Sequence, residues 1–158
     1  MNKKIWFSLI GVLMLIPISF TSCSDDDEEI GFSSLLVGTW ESVSFSYQIK
    51  ENGKVVDKRT EDDNSLRGIF NEDGTWNSAE YYNGTWHYND EIIWTHWSYK
   101  NGKIITESRD CYDEYYSESV TVKELTASKL VVESVENYTD DGISYEDYAL
   151  IEYRKISE

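Results

Sequence analysis

The run Thr75-Trp76-Asn77-Ser78-Ala79-Glu80-Tyr81-Tyr82-Asn83-Gly84-Thr85-Trp86-His87-Tyr88-Asn89-Asp90 decides the fold class. Asn83-Gly84 is a hairpin signal, because both central residues of a two-residue type I′ turn need positive φ, which Asn and Gly adopt at least cost. On either side lie short segments rich in Trp, Tyr and Thr, side chains that fit a pleated, half-buried surface. The same punctuation recurs at Asn52-Gly53, Asp73-Gly74, Asn89-Asp90, Asn101-Gly102 and Asp141-Gly142. In the first strand Val43, Phe45, Tyr47 and Ile49 alternate with Ser44, Ser46 and Gln48, and later Val120 and Val122 alternate with Thr121 and Lys123. Strands are therefore predicted over 43–49 and near 54–60, 66–70, 75–82, 84–89, 91–98, 103–110, 115–124, 129–137 and 143–155. An antiparallel chain of this kind must close or pack as two sheets, and closure removes exposed edges. The expected fold class is all-β: an up-and-down antiparallel barrel of about eight to ten strands. The alternative is an immunoglobulin-like sandwich, whose Cys, Trp, Cys spacing is missing.

Working outward, the whole chain has 158 residues, with 30 acidic against 14 basic side chains and a formal charge of −16. That is one domain's length, and the charge excludes nucleic acid as a partner. An aromatic content of 15% gives the chain enough apolar surface to bury a core.

At the N-terminus Lys3 and Lys4 precede an apolar run from Ile5 to Phe20, 16 residues and so short of the roughly 20 a spanning helix needs. Residues 1–22 are read as an export signal. Its end, Phe20-Thr21-Ser22-Cys23, resembles a lipobox, which implies that Cys23 becomes the mature N-terminus and carries the lipid that makes the membrane a partner. Each buried methylene contributes about 0.8 kcal/mol, so several acyl chains hold firmly. The next residues, Ser24-Asp25-Asp26-Asp27-Glu28-Glu29, resemble the acidic tag that sends some Gram-negative lipoproteins to the outer face of the outer membrane. A solvated tether is the alternative, and both readings predict a lipidated, flexible acidic linker over 23–31 before a barrel domain over 32–158. Phe32 to Val37 is expected to form a short helical turn that plugs the sheet's end. With Cys23 acylated, Cys111 has no intramolecular partner and is expected as a buried small hydrophobe.

Leu36-Val37-Gly38-Thr39-Trp40 resembles the Gly-x-Trp opening of lipocalins, and more closely that of the lipocalin-like domains of bacterial lipoproteins. Phe70-Asn71-Glu72-Asp73-Gly74-Thr75-Trp76, Asn83-Gly84-Thr85-Trp86 and the hairpin from Val122 to Val132 resemble further pieces of that family, in order, over roughly 35–156. The resemblance implies a calycin-type barrel in which Trp40 fills the closed end and a late basic residue, Arg154, lies over its ring. It also implies a small-molecule ligand.

Reaction chemistry is not specified. His87 and His96 lie in aromatic strand segments and are expected as hydrogen-bonded strand residues, and no nucleophile elbow, phosphate loop or zinc spacing occurs. An EF-hand register starting at Asn137 places Asp141 and Gly142 correctly but puts Tyr148 where the bidentate Glu belongs. No catalytic residue, metal site or cofactor is expected. The aromatic surplus between 76 and 99 points instead to binding. Phe45 and Tyr47, which share one face of a strand, with Trp86 and Trp97, are the candidate contacts to a small apolar or amphipathic ligand. The alternative is a filled barrel that contacts a protein or glycan at the cell surface.

Overall fold

The computed structural model describes residues 25–156, with side chains from Gly31 on; Cys23 and Ser24 lie outside the described residues. Helix α1 (Asp25–Leu36) leads into ten strands: β1 (Gly38–Glu51), β2 (Lys54–Asp62), β3 (Leu66–Phe70), β4 (Trp76–Tyr82), β5 (Thr85–Tyr88), β6 (Ile92–Lys100), β7 (Lys103–Asp110), β8 (Tyr115–Leu125), β9 (Lys129–Asp140) and β10 (Ile143–Ile156). The expected flexible linker is thus helical from Asp25, and α1 crosses the expected boundary at 31/32. Acidic residues suit the positive end of a helix dipole, so a run at the start of a helix helps that helix form.

Each strand pairs with antiparallel neighbours in the order β5-β4-β3-β1-β10-β9-β8-β7-β6, with β2 also on β1. β2 and β3 share one edge of β1: Ser44–Glu51 pairs with Lys54–Asp62, and Gly38–Glu41 with Arg67–Phe70. The last strand returns to the first along almost its whole length, from Thr39↔Ile156 to Glu51↔Tyr145. Such an order is an up-and-down meander lacking one pairing. Among the described residues no ladder joins β5 to β6, so the sheet curls into a barrel open along that seam rather than the fully closed one expected. The seam is pinned at one end, where Trp97 N donates to Gly74 O at 2.8 Å and Trp76 N to Thr95 Oγ1 at 3.1 Å.

The hairpin turns follow the sequence signals. Asn52, Asn83, Asn101 and Asp141 all take positive φ, each followed by a positive-φ glycine. Asp73-Gly74 differs, because Gly74 alone is positive and Asp73 Oδ1 accepts from Thr75 N and Oγ1 at 2.9 and 2.6 Å.

The core fills the end of the barrel that α1 covers. Leu36, Trp40, Trp97, Ile104, Leu130 and Val132 are buried together, with Phe70, Trp76, Val120, Val122 and Ile151 packed around them. Phe32 of α1 lies against Tyr99 of β6, with ring centroids 5.5 Å apart and planes tilted by 32°. The last carbonyls of a helix have no partner within it. Here Trp40 Nε1 donates to Leu36 O at 2.7 Å, and Lys155 Nζ donates to Leu35 O at 2.9 Å. The ammonium also sits 5.1 Å from the centroid of the Trp40 ring. Gly38 takes φ +131°, and a Cβ there would lie 2.5 Å from Lys155 Cε. The Gly-x-Trp element therefore serves as the helix's C-terminal cap, and the positive φ at Gly38 favours glycine there.

Candidate functional site

On β7 the inward row runs Ile104, Thr106, Ser108, Asp110, and its partners on β8 are Val120, Glu118 and Tyr116 in turn. Going up the barrel, the lining thus changes from apolar core to hydroxyls and carboxylates. Thr95 of β6 pairs with Ser108, and Trp76 and Ser78 face this row from β4. These side chains surround a cleft of about 330 Å³ at the β5/β6 seam, with Asn89, Glu91 and Ile92 of the seam loop and the start of β6 at its rim. A second cleft of about 350 Å³ shares Trp76, Asn77, Asn89, Ile92 and Thr95 and also borders Trp94, so the seam is hollow on two sides.

The cleft's floor is held rigidly. Trp76 Nε1 donates to Glu107 O at 3.0 Å, fixing the indole plane. Asp110, only 7% exposed, accepts from Tyr112 N and Glu114 N at Oδ1, both at 2.9 Å, and from the Tyr116 hydroxyl at Oδ2, at 3.2 Å. Desolvation pushes its carboxyl up, but these hydrogen bonds outweigh it and hold Asp110 below the usual carboxylate range. Tyr116 is pushed up to about 12, first by its hydrogen bond to Glu114, then by burial and by Asp110, so its hydroxyl stays a neutral donor. Asp110 is thus an ionised, pre-oriented acceptor. Ser108, also 7% exposed, adds a hydroxyl with no hydrogen-bond partner among the described residues.

The residues singled out from the sequence are not gathered here. Phe45 and Tyr47 do share a face of β1, with ring centroids 6.0 Å apart, but neither lines this cleft. Tyr47 is engaged by its neighbour strand: its hydroxyl donates to Asp57 at 2.7 Å and Arg59 lies 5.2 Å above its ring. Trp97 turns inward but is packed into the core, edge-on to Phe70 at 5.5 Å, with Nε1 donating to Asn71 O at 3.0 Å. Trp86 pairs with Tyr81, which puts it on the face opposite Trp76 and Ser78; there the Arg67 guanidinium covers it at 4.0 Å. Arg67 in turn pairs with Glu41 at 2.5 Å.

Arg154 does not lie over Trp40. Trp40 is opposite Lys155 and Glu41 opposite Arg154, so parity gives the indole to Lys155 and sends Arg154 to Glu41, at 3.5 Å. Cys111 is exposed rather than buried, because it falls in the turn between β7 and β8, its N–H donating to Glu91 O at 2.8 Å. His87 stacks on Tyr82 at 3.6 Å, and its Nε2 has no hydrogen-bond partner among the described residues.

Sequence reasoning placed Trp76 in the aromatic band without choosing it as a contact, and missed Ser108, Asp110, Tyr116 and Glu118. A signal did exist: the inward parity of Val122 and Val120, continued toward the start of β8, reaches Glu118 and Tyr116.

No protein-family model matches the sequence, and no curated protein matches it. Among solved structures the chain is similar to a lipocalin-like protein from Bacteroides uniformis, with a TM-score of 0.48 and 19% identity over 77% of this chain and 99% of that one. It is also similar to an uncharacterized protein from Bacteroides eggerthii, with a TM-score of 0.47 and 15% identity over the same shares.

Proposed function

We propose that this chain is a lipocalin-like envelope protein, anchored by lipid on Cys23 at the outer face of a Gram-negative outer membrane, whose barrel binds a small molecule without covalent chemistry. The observation that carries the binding reading is the cleft of about 330 Å³ at the seam, within the size range of small-molecule sites. Trp76 and Ile92 offer apolar surface, while Ser108, Asp110 and Tyr116 offer fixed polar groups. The ligand that suits it is polar or amphipathic rather than wholly apolar, because burying these groups against a hydrocarbon would leave them unpaired. Native mass spectrometry of the full chain, followed by tryptophan-fluorescence titration, tests this reading: a saturable change abolished by Ser108→Leu is expected. An unaltered titration in that variant would move the site elsewhere.

A second reading is contact with a surface partner through exposed aromatics. Tyr82 and Trp94 are 50% and 46% exposed, and Trp94 stacks with His96. Tyr82→Ser, at a residue that lines neither cleft, should weaken such contact while leaving the small-molecule titration unchanged.

The anchor rests on Phe20-Thr21-Ser22-Cys23 and the display on the acidic run after it. Cys23→Ala should lose incorporation of labelled fatty acid; persistent labelling would rule out the anchor. Replacing Asp25 to Glu29 with Ala should lower protease accessibility on intact cells.

A further inference from the structure

We infer that the seam cleft selects an organic cation, a small ammonium with apolar substituents, over neutral and anionic molecules of the same shape. This inference rests on the ligand-binding reading of the same cleft.

Charge comes first. Asp110, Glu91 and Glu118 line the cleft, and no Lys, Arg or His is among the lining residues. In a chain with formal charge −16, no cation among the lining residues offsets that field, so an anion such as a fatty-acid carboxylate is repelled. Arg109, next in sequence to Asp110, is spent on Asp113 at 2.8 Å.

Geometry adds the rest. The Asp110 carboxylate accepts two backbone N–H bonds at Oδ1, while Oδ2 shares the single Tyr116 proton with Glu114, which leaves Oδ2 a lone-pair position unused. The Ser108 hydroxyl, more than nine-tenths buried and without a partner, opens into the same space and can accept an N–H or O–H. Trp76 lines the same space with an indole held by its bond to Glu107 O, and indoles attract cations over their rings. A buried, ionised carboxylate beside a fixed indole and a free hydroxyl is a set of groups that a polyol fills only in part. An alkylammonium uses all three. Glu91 and Glu118 are exposed at the rim, where they act through long-range attraction more than through contact.

The test uses the full chain in a non-ionic detergent and three probes: choline, its neutral isostere 3,3-dimethyl-1-butanol, and glucose, each titrated calorimetrically. Choline should bind at least about tenfold more tightly than the isostere, a difference of about 1.4 kcal/mol. Its affinity should fall several-fold in the rim variant Glu91→Gln/Glu118→Gln and with added salt. Both variant positions are exposed, so folding is not at stake; a Trp76→Leu variant with unchanged circular dichroism should also weaken choline. Equal binding of choline and isostere, or saturable glucose binding that Trp76→Leu weakens, overturns the cation inference and leaves the ligand-binding reading standing. Absence of saturable binding by all three overturns both.

Discussion

Lys155 shows how one position of strand parity reassigns a role. A basic residue near the C-terminus facing Trp40 was legible in the sequence, but Arg154 and Lys155 are adjacent and only the β1–β10 register decides between them. Register is a property of two paired strands, so a single stretch of sequence does not carry it. Lys155→Met removes the hydrogen bond to Leu35 O and the cation over the indole, and should cost about 1–2 kcal/mol in urea unfolding. Arg154→Met should cost less than about 1 kcal/mol, since its bond to Glu41 is made by a side chain that is 63% exposed. Trp40→Ala should be among the largest single losses, about 3–5 kcal/mol, because the residue is 1% exposed at the centre of the plug. Equal costs for the two basic residues would contradict the capping role. Nearby, Tyr153 is pushed up to about 12, mainly by desolvation and then by Asp63. A group whose folded pKa is raised stabilises the fold below its ordinary value, near 10 for tyrosine, and that contribution is lost as pH rises toward 12. Tyr153→Phe should therefore flatten the fall in stability between about pH 10 and 12, measured by urea titration at each pH.

At the scale of elements, strand positions were legible because turn chemistry is local. Asn-Gly and Asp-Gly pairs mark most of the hairpins, and the ten predicted strands correspond to β1–β10 with ends shifted by a few residues. What stayed hidden was the inward face of β7 and the upper part of β8. Thr106, Ser108 and Asp110 point inward while Ile105 lies on the other face, so the apolar-inward rule misreads this strand. A polar inward row is stable only where its groups are bonded or face a solvent-filled cleft, which is a tertiary circumstance. The bulge between Ser42 and Ser44 was hidden for the same reason: buried Ser42 accepts from Leu66 N at 3.0 Å, across 24 positions of sequence. The β7–β8 turn gives a testable consequence. Asp110 binds the N–H groups of Tyr112 and Glu114, so Asp110→Asn should speed hydrogen exchange at those two amides relative to Ile104. Because its folded pKa is depressed, the wild-type turn is stabilised above the ordinary carboxylate value and loses that stabilisation as pH falls through the lowered one. Protection at Tyr112 that is insensitive to both changes would show that the turn does not depend on the carboxylate.

For the whole molecule the decisive feature is the missing pairing between β5 and β6. An open edge presents unpaired backbone groups, and the regions of a fold that open most readily are those with few buried contacts. β5 has four residues, none fully buried, and pairs only with β4. By contrast β1 and β10 pair over most of their length and carry the plug. Hydrogen exchange should therefore be graded around the barrel: slowest along β1 and β10, fastest at β5 and the loop to β6. Trp97 should be an exception within β6, since its N–H crosses the seam to Gly74 O. A ligand seated between Trp76, Asp110 and Ile92 touches both sides of that seam, so binding should slow exchange in β5, the seam loop and the first half of β6 while leaving β1 and β10 unchanged. Uniform slowing across all strands would indicate global stabilisation alone. Slowing confined to β1, β2 and β10 would instead place the ligand over Phe45 and Tyr47, the face read from the sequence, and would sink the seam as the binding site.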